Sequence, residues 1–393
     1  MNKKKLENNI KKFYLHRILS GMFFAVPIMV LFWQENGLSL TEVMLLQSLF
    51  AIVTVVLEIP TGYFADVKGR RKTLFYSAVS TSIAISIYSF AESFLHFAIG
   101  EVFFALAVSL SSGTLSALVF DSLQDLGRTH EYPKIWGNSI FYGMISLALS
   151  NAVGGFIGEV NLRYALFASV PAFLLLIPVA LSMEEPRKHK DIVKEGYTQE
   201  LIRIMKFALV ENKKLRWIII YSGIVYAFNQ SALWLYQPYF KLTGLEVAHF
   251  GIVFASFQLV SGFSSKYAHS IERKLGQKYS LAMLIILVSA SYFLMHHFVY
   301  LFSFSFCFIQ QFVRGFKKAV VNDYINQLAT SNIRATILSL ESFASRLLYA
   351  AIVPVVGWVA DIYTLSQALL ILGSTALVSG IVIFAFLRKF KIF

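Results

Sequence analysis

Residues 62–72 read Gly-Tyr-Phe-Ala-Asp-Val-Lys-Gly-Arg-Arg-Lys and form a short charged segment between two apolar runs. Glycine adopts positive φ angles at little cost, so Gly69 permits a tight turn. Gly62 lets its helix approach a neighbouring helix closely, and Asp66 can accept hydrogen bonds from a helix N-terminus or an arginine. Three basic residues follow Gly69 and favour one aqueous side of a membrane. The segment therefore predicts a tight loop between two membrane spans.

The sequence on both sides of this segment is far more apolar than that of a soluble domain. Of the 393 residues, 57% are hydrophobic and 15% are charged, whereas a soluble domain carries about 25% charged residues. Unbroken apolar runs, such as residues 140–149 and 281–290, recur along the whole length, and about 20 such residues cross the hydrocarbon core. This composition excludes a soluble enzyme and a nucleic-acid-binding module, and it predicts an all-α membrane protein with many spans.

Apolar segments between polar breaks predict twelve membrane-spanning helices, which we call spans 1 to 12. They lie near residues 13–34, 42–62, 73–91, 95–118, 135–158, 164–182, 215–236, 249–268, 279–296, 298–317, 336–358 and 363–387. The longest polar break is Met183–Lys214. We therefore predict an N-terminal six-helix bundle over residues 1–182, a cytoplasmic linker over 183–214 and a C-terminal six-helix bundle over 215–393.

The basic residues give the expected orientation. Of 35 lysines and arginines, 32 fall on the same side of the twelve predicted spans as both termini. Basic loops stay in the cytoplasm, so we expect both termini inside and the protein in the cell (inner or cytoplasmic) membrane. The net charge of +13 then reflects the lipid bilayer as partner, with no nucleic acid. The lysine-rich start leads into a first helix that we expect to be retained, because no convincing cleavage site follows it.

Residues 62–72 resemble the loop signature of the major facilitator superfamily, and the twelve spans extend this resemblance to the whole chain. The matching positions are Gly62, Asp66, Gly69, Arg70 and Arg71. The resemblance implies two six-helix bundles related by a pseudo-twofold axis along the membrane normal, which alternate between inward-open and outward-open states. In that superfamily the signature acts as a conformational latch, and Asp121 looks like the acidic partner of its arginine.

The second half contains a fainter copy of the same signature. Gly276-Gln-Lys-Tyr-Ser-Leu281 corresponds to Gly69-Arg-Arg-Lys-Thr-Leu74, and Asp323 corresponds to Asp121. Internal duplication is typical of secondary transporters. The acidic position of the motif falls on Arg273, so we expect the second latch to be weak.

Span 5 resembles the antiporter motif of the superfamily, a series of glycines that ends in a Gly-Pro pair and two further glycines. The positions that match it or replace it with small residues are Gly137, Ser146, Ser150, Asn151, Gly154 and Gly155. Small residues preserve close helix packing, but Asn151 stands where the motif has proline, which weakens the case for antiport. An ordinary glycine-rich helix interface is the alternative.

The ionisable residues that fall inside predicted spans include Glu58, Glu101, Arg314, Glu341 and Arg346. Each costs about 2.5–3.5 kcal/mol at the membrane centre on insertion scales and so needs a purpose. We expect Glu101, then Glu58, to carry protons, and Arg346 to lie in the substrate cavity with Glu341. The alternative is a structural ion pair of Arg346 with Glu58 or Glu341. Drug exporters of the superfamily usually carry an arginine early in span 4, where this chain has Glu101 instead.

Polar side chains complete the predicted cavity, although each could equally form a hydrogen bond between helices. They are Asn138, Asn229, Gln230, Trp234, Gln258 and Gln310. The chain has no GxxxxGK[ST] phosphate loop and no catalytic or metal-ligating constellation, so we expect no enzyme activity, no cofactor and no metal. Energy would then come from an ion gradient.

These features predict a secondary active transporter for a small molecule that works as a monomer. We favour proton-coupled export, by antiport, of an amphipathic or drug-like molecule or a secreted metabolite. One alternative is proton-coupled uptake of a small polar or anionic solute, with Arg346 as its counter-charge. Another is a lipid flippase or a membrane partner that transports nothing.

Overall fold

The computed structural model of the protein describes residues 3–187, 197–330, 332–390 and 392–393. Residues 188–196 of the predicted linker and Lys391 of the basic C-terminal tail lie outside the described residues. Throughout the described part the regular elements are helical. The α-helices are α1 (Lys3–Gly21), α2 (Met29–Glu35), α3 (Leu40–Lys68), α4 (Arg70–Phe90), α5 (Phe94–Ser111), α6 (Thr114–Asp125), α7 (Tyr132–Val160), α8 (Leu162–Ser182), α9 (Tyr197–Lys206), α10 (Lys213–Leu242), α11 (Val247–His297), α12 (Cys307–Leu328), α13 (Arg334–Ile362) and α14 (Leu365–Lys389).

The helices account for the predicted membrane spans. Ten helical segments among the described residues are long and apolar enough to cross a membrane. The 51-residue α11 holds two of the predicted spans, because Gly276 leaves the helical conformation within it. The 22-residue α12 has the length of a span but carries Arg314, Lys317 and Lys318. The protein is therefore an all-α, multi-pass membrane protein.

Three spans differ from the sequence prediction. Span 1 is interrupted by a short 3-10 segment at Val26–Ile28, which contains Pro27. Span 4 is interrupted between α5 and α6, where Gly113 adopts a φ of 71°. Span 10, predicted over 298–317, is instead α12 at Cys307–Leu328. The prediction for span 10 was wrong because its intramembrane basic residues end the apolar run long before the helix ends.

The chain forms two compact units. The first contains residues 1–38, 49–194 and 246–255, and the second contains residues 39–48, 195–245 and 256–393. The beginning of α3 thus belongs to the second unit, and the beginning of α11 belongs to the first. The sequence-based bundle limits at 183 and 214 stay a prediction.

In the first unit, α4 packs against α5 and α8, and α1 packs against α7. A Cβ atom at Gly154 of α7 would lie 1.9 Å from the backbone oxygen of Phe24, in the break after α1. Small residues allow such direct contact between backbones in membrane proteins. Gly154 therefore places α7 directly against the interruption of span 1.

In the second unit, α10 lies between α12, α13 and α14. Its buried tyrosines reach backbone oxygens of neighbouring segments: the Tyr221 hydroxyl donates to Leu281 O at 2.7 Å, and the Tyr239 hydroxyl donates to Phe298 O at 2.8 Å. Buried hydroxyls are tolerated when they are hydrogen-bonded. These bonds attach the polar groups of α10 to fixed backbone positions.

The first turn of α3 is capped by a residue from far along the chain. The Asp361 carboxylate accepts hydrogen bonds from Leu40 N at 2.9 Å and from Thr41 N at 2.7 Å. One turn earlier in α13, a Cβ at Gly357 would lie 2.6 Å from Leu40 O. A carboxylate at a helix N-terminus satisfies free N–H groups and complements the helix dipole.

The first turn of α11 is capped in the same way within the first unit. The Glu159 carboxylate accepts a hydrogen bond from Ala248 N at 2.9 Å. One turn earlier in α7, a Cβ at Gly155 would lie 2.6 Å from Ala248 O. Gly155 and Glu159 thus repeat the spacing of Gly357 and Asp361, a further sign of internal duplication.

Candidate functional site

The Gly69 turn, which we define as residues 62–72, joins α3 to α4. Gly69 is buried and has a φ of 96°, a conformation that favours glycine. The Glu185 carboxylate accepts hydrogen bonds from Arg70 N and Arg71 N, each at 2.7 Å. It therefore caps the start of α4, a role that the sequence analysis did not assign to it.

Arg70 of this turn forms an ion pair with Asp121 of α6. The Nη2–Oδ2 distance is 2.8 Å, and the side chains are 21% and 11% exposed. Nearby, Asn9 Nδ2 donates to Ser122 Oγ at 3.0 Å and to Glu184 O at 2.9 Å. The contacts thus extend from the turn to α1 and to the segment after α8. Whether this network acts as a latch stays a prediction.

Two residues of the signature lie outside these contacts. Asp66 is exposed, and no hydrogen bond or ion pair joins its carboxylate to any residue that the structure describes. Gly62 is also exposed, and a Cβ added there would meet no described atom within 4 Å. The close helix approach expected at Gly62 is therefore absent from the described part of the chain, because this face of α3 is open.

The corresponding turn in the second half has the same backbone and different contacts. Gly276 has a φ of 75° but is exposed, and a Cβ there would meet nothing within 4 Å among the described residues. Asp323 accepts from Gln327 Nε2 at 2.8 Å within its own helix. The residue after Gly276 is Gln277, where the first half has Arg70.

Glu101 is buried in an aromatic cluster of the first unit, the Glu101 cluster, which consists of Trp33, Tyr88, Phe97, Glu101 and Phe104. The Tyr88 hydroxyl donates to Glu101 Oε1 at 2.6 Å. The Tyr88 ring centroid lies 5.3 Å from that of Phe97 and 5.5 Å from that of Phe104.

Tyr88 can take this position because of a glycine next to the acid. A Cβ at Gly100 would lie 2.5 Å from the Tyr88 ring, so α4 and α5 approach closely there. Glu58, the second predicted proton carrier, lies on α3 and is half-buried. The first unit therefore holds one predicted carrier deep in its interior and one closer to a surface.

A buried ion pair joins α12 and α13 in the second unit. Lys317 Nζ lies 3.3 Å from Glu341 Oε1, with side chains 13% and 11% exposed. The same oxygen, Oε1, accepts from the hydroxyls of Ser222 and Ser345. The sequence had suggested Arg346 as the partner of Glu341, whereas Lys317, at the end of predicted span 10, had been given no partner.

Tyr226 of α10 lies beside this pair. Lys317 Nζ is 5.2 Å from the centre of the Tyr226 ring, and the Tyr226 hydroxyl interacts electrostatically with Arg314, Glu341 and Arg346. We call these five residues the Tyr226 cluster. Its four charged members are the cations Arg314, Lys317 and Arg346 and the acid Glu341.

Two predicted cavity amides bond to each other. Asn229 Nδ2 donates to both the backbone oxygen and the Oε1 of Gln310, each at 2.7 Å. Gln310 Nε2 donates in turn to Val288 O at 3.2 Å. These contacts join α10, α11 and α12, as expected for hydrogen bonds between helices, and the place of Asn229 and Gln310 in the cavity stays a prediction.

The remaining predicted cavity residues are half-buried. Trp234 Nε1 donates to the Tyr349 hydroxyl at 2.8 Å, and the Tyr349 ring contacts that of Tyr226 edge to face. Trp234 thus extends the aromatic surface beside the Tyr226 cluster. Gln230, Gln258 and Asn138 are half-buried, and none of them forms a hydrogen bond with the described residues.

The glycines of the span 5 motif differ in their surroundings. Gly154 and Gly155 contact other backbones directly, as described above, whereas a Cβ at Gly137 would meet nothing within 4 Å among the described residues. Asn151 is fully buried, and its side-chain oxygen and nitrogen have no hydrogen-bond partner in the described part. Close packing therefore belongs to the later part of this motif.

The described residues contain no group of three or more His, Cys, Asp or Glu side chains that could hold a metal ion.

The sequence model of the Major Facilitator Superfamily matches residues 17–348. The chain belongs to the major facilitator superfamily. Its intramembrane clusters therefore belong to a transporter fold.

Two curated relatives are similar to part of this superfamily member. An uncharacterised MFS-type transporter of Methanocaldococcus jannaschii is 26% identical over 161 residues, 40% of this chain and 39% of that protein. The quinolone resistance protein NorA of Staphylococcus aureus is 24% identical over 182 residues, 45% of each chain. The match thus spans less than half the length of either relative.

The fold is similar to that of solved superfamily transporters along nearly its whole length. The nucleoside transporter NupG, as a D323A mutant, has a TM-score of 0.83 with 15% sequence identity, and the alignment covers 98% of this chain and 99% of that one. At this identity the likeness concerns the fold.

Proposed function

We propose that this superfamily member is a proton-coupled secondary active transporter that exports a small amphipathic molecule by antiport. The exported molecule would be drug-like or a secreted metabolite. The observation that carries the proposal is the Glu101 cluster, a buried carboxylate held by a tyrosine hydroxyl among aromatic rings. We propose no enzymatic reaction and no cofactor.

The cluster combines the two properties that such an exporter needs. A carboxylate removed from water holds a proton more readily than an exposed one, so Glu101 can gain and lose a proton as access to water alternates. The rings around it offer an apolar, polarisable surface suited to an amphipathic molecule. Glu101 is therefore the first candidate for the proton carrier, and Glu58 is the second.

Two further features support export. NorA is named for resistance to quinolones, and a membrane transporter confers resistance when it removes a compound from the cell. The small residues of span 5, including Gly154 and Gly155, preserve part of the antiporter motif. Neither feature depends on the Glu101 cluster.

We also propose a location and an orientation. The bias of 32 basic residues to one side supports a cell (inner or cytoplasmic) membrane protein with both termini in the cytoplasm. The Arg70–Asp121 ion pair would then lie on the cytoplasmic side, where it would stabilise one state of the cycle. We propose that the protein works as a monomer.

The test measures proton flux in proteoliposomes loaded with the protein and a pH-sensitive dye. We expect addition of a quinolone to release protons from energised vesicles that contain the wild type. Glu101→Gln should abolish accumulation against a gradient and preserve downhill exchange, because the binding surface remains. Glu92→Gln is the matched control, since Glu92 is exposed between α4 and α5. Gradient-driven accumulation by Glu101→Gln would contradict the proposal.

A second function, proton-coupled uptake of a small polar or anionic solute, is favoured by the Tyr226 cluster. Its three basic side chains suit a negatively charged solute, with Arg346 as one counter-charge. The direction of proton flow separates the two functions: a solute taken up by symport should acidify the vesicle interior, and an antiported one should make it more alkaline.

A further inference from the structure

Glu341, the acid of the Tyr226 cluster, accepts hydrogen bonds from the described residues at one of its two carboxylate oxygens. The three donors around Glu341, namely Lys317 Nζ and the Ser222 and Ser345 hydroxyls, all reach Oε1. Among the residues that the structure describes, none donates to Oε2. A carboxylate oxygen can accept two hydrogen bonds, so Oε2 has capacity for a proton.

Lys317 and Arg314 have N–H donors that find no acceptor in the described part of the chain. Lys317 carries three N–H groups, of which one finds an acceptor, at Glu341 Oε1, in the described part. Arg314 lies one turn before Lys317 on α12, and its exposed side chain forms no ion pair with the described residues. Residues three apart share one face of a helix, so both cations can reach a single anionic group.

The position of the pair makes its charges costly. Glu341 lies roughly 10 Å along α13 from Arg334 at 1.5 Å per residue, well inside a core of ~30 Å. Buried ion pairs often contribute little net stability compared with apolar residues of similar volume. A transporter that only needed to hold α12 and α13 together would not require this pair.

We infer that the Tyr226 cluster binds the anionic group of a small organic acid between Arg314 and Lys317, while Glu341 takes up a proton on Oε2. Lys317 keeps its charge and exchanges its partner, from the Glu341 carboxylate to the ligand anion. The proton comes from water and forms one O–H bond, so the cluster gains one negative and one positive charge together. The apolar body of the ligand would contact the rings of Tyr226 and Trp234.

No other titratable group displaces Glu341 from this role. The neighbouring helices face the cluster with Ser222 and Tyr226 from α10, Arg314 and Lys317 from α12, and Ser345 and Arg346 from α13. Glu341 is the only acid in this set, and the anion that Lys317 faces in either state favours its charged ammonium form.

This inference rests on the proposed function only in that the chain transports a small organic molecule. It concerns binding, so its failure would leave proton-coupled transport through Glu101 intact. If proton and anion bind together at this cluster, they cross the membrane together. Such a result would favour symport over antiport.

The test measures ligand binding to the purified full-length chain by thermal shift at about pH 6 and about pH 8. The probes are benzoate, naphthalene-2-sulfonate and phenylphosphonate, each paired with its neutral amide or ester. We expect at least one acid to stabilise the wild type more than its neutral counterpart does. For one linked proton its apparent affinity should weaken with rising pH, by up to about tenfold per unit.

Four variants locate the effect. Lys317→Gln and Arg314→Gln should lose the preference for the acid. Because Arg314→Gln leaves the buried Lys317–Glu341 pair intact, it tests the inference even if Lys317→Gln does not fold. Glu341→Gln should bind the acid with an affinity that no longer depends on pH. Lys318→Gln, on an exposed neighbour in α12, should behave as the wild type.

Three results would overturn the inference. In the first, no acid of the panel stabilises the wild type more than its neutral partner. In the second, Arg314→Gln retains the full acid preference. In the third, the pH dependence of binding persists in Glu341→Gln.

Discussion

The Gly69 turn and the corresponding turn at Gly276 within α11, which we call the Gly276 turn, share a backbone conformation and differ in nearly every contact. Their glycines have φ angles of 96° and 75°. Gly69 is buried beneath the Glu185 carboxylate, whereas Gly276 is exposed. Glu185, which caps the first turn, comes from the segment after α8, whereas α14 ends in the basic residues Arg388 and Lys389. The turn is thus present in both halves, but among the described residues a carboxylate caps the following helix only in the first.

This contrast shows which parts of the signature are structural and which depend on partners. A glycine with positive φ is enough to reverse the chain between two spans. The ion pair needs Arg70 and Asp121, and the helix cap needs Glu185. The second half keeps Asp323 but has Gln277 in place of the arginine, so its turn lacks the means to form the same pair.

The largest expected effect comes from removing the acid of the first pair. Asp121→Asn leaves the Arg70 guanidinium, 21% exposed, without its carboxylate, and should cost about 3 kcal/mol as for a buried charge that loses its partner. We expect a lower thermal unfolding midpoint and reduced transport. The matched control is Asp323→Asn, whose acid bonds to Gln327 within its own helix and should change little. Equal losses in the two variants would mean that the halves are equivalent after all.

Alanine at Gly69 and alanine at Gly276 should also differ in their cost to stability, but by less than Asp121→Asn and Asp323→Asn do. Both substitutions force a positive φ on a residue with a Cβ, at a cost of about 1–3 kcal/mol each. Only Gly69→Ala also brings the Cβ to 3.0 Å from Glu185 Oε1, which should weaken the cap on α4 by about 1 kcal/mol. Thermal unfolding of Gly69→Ala and Gly276→Ala measures the difference. A loss in Gly276→Ala as large as in Gly69→Ala would show that backbone strain alone sets the cost.

The smallest effect would come from restoring the missing arginine. Gln277→Arg places a guanidinium at the position equivalent to Arg70, where Asp323 could pair with it. Because the second turn is exposed, the gain should be a few tenths of a kcal/mol, seen as a slightly higher unfolding midpoint. The gain should vanish when Asp323→Asn is added. If it persists in that double variant, the added charge acts elsewhere.

Much of the fold could be predicted from the sequence, because each membrane span and each basic loop is a contiguous segment that can be recognised without knowing its distant neighbours. The Gly69 turn was predictable for the same reason, since its glycine and charges are contiguous. The break at Gly113 follows Ser111 and Ser112, a local signal that the search for apolar runs passed over. The interruption of span 1 likewise coincides with Pro27.

The sites were harder to predict because their contacts join distant parts of the chain. Glu185 lies 115 residues after Arg70, in a polar segment that gave no sign of capping a helix. Span 10 was predicted to end at residue 317 because Lys317 and Lys318 end its apolar run. The Glu341–Lys317 pair therefore became visible only in three dimensions, although Glu341 itself was recognised as an intramembrane charge.

The cap that Asp361 provides for α3 has a consequence for how the chain is made. The two ends of this contact are 321 residues apart in sequence, whereas Glu159 and Ala248 are 89 apart. Domains generally fold in the order of their synthesis, and contacts between distant residues form late. The first turn of α3 must therefore remain uncapped on the ribosome until α13 has been synthesised. One of the earliest spans to leave the ribosome is thus among the last to acquire its final contacts.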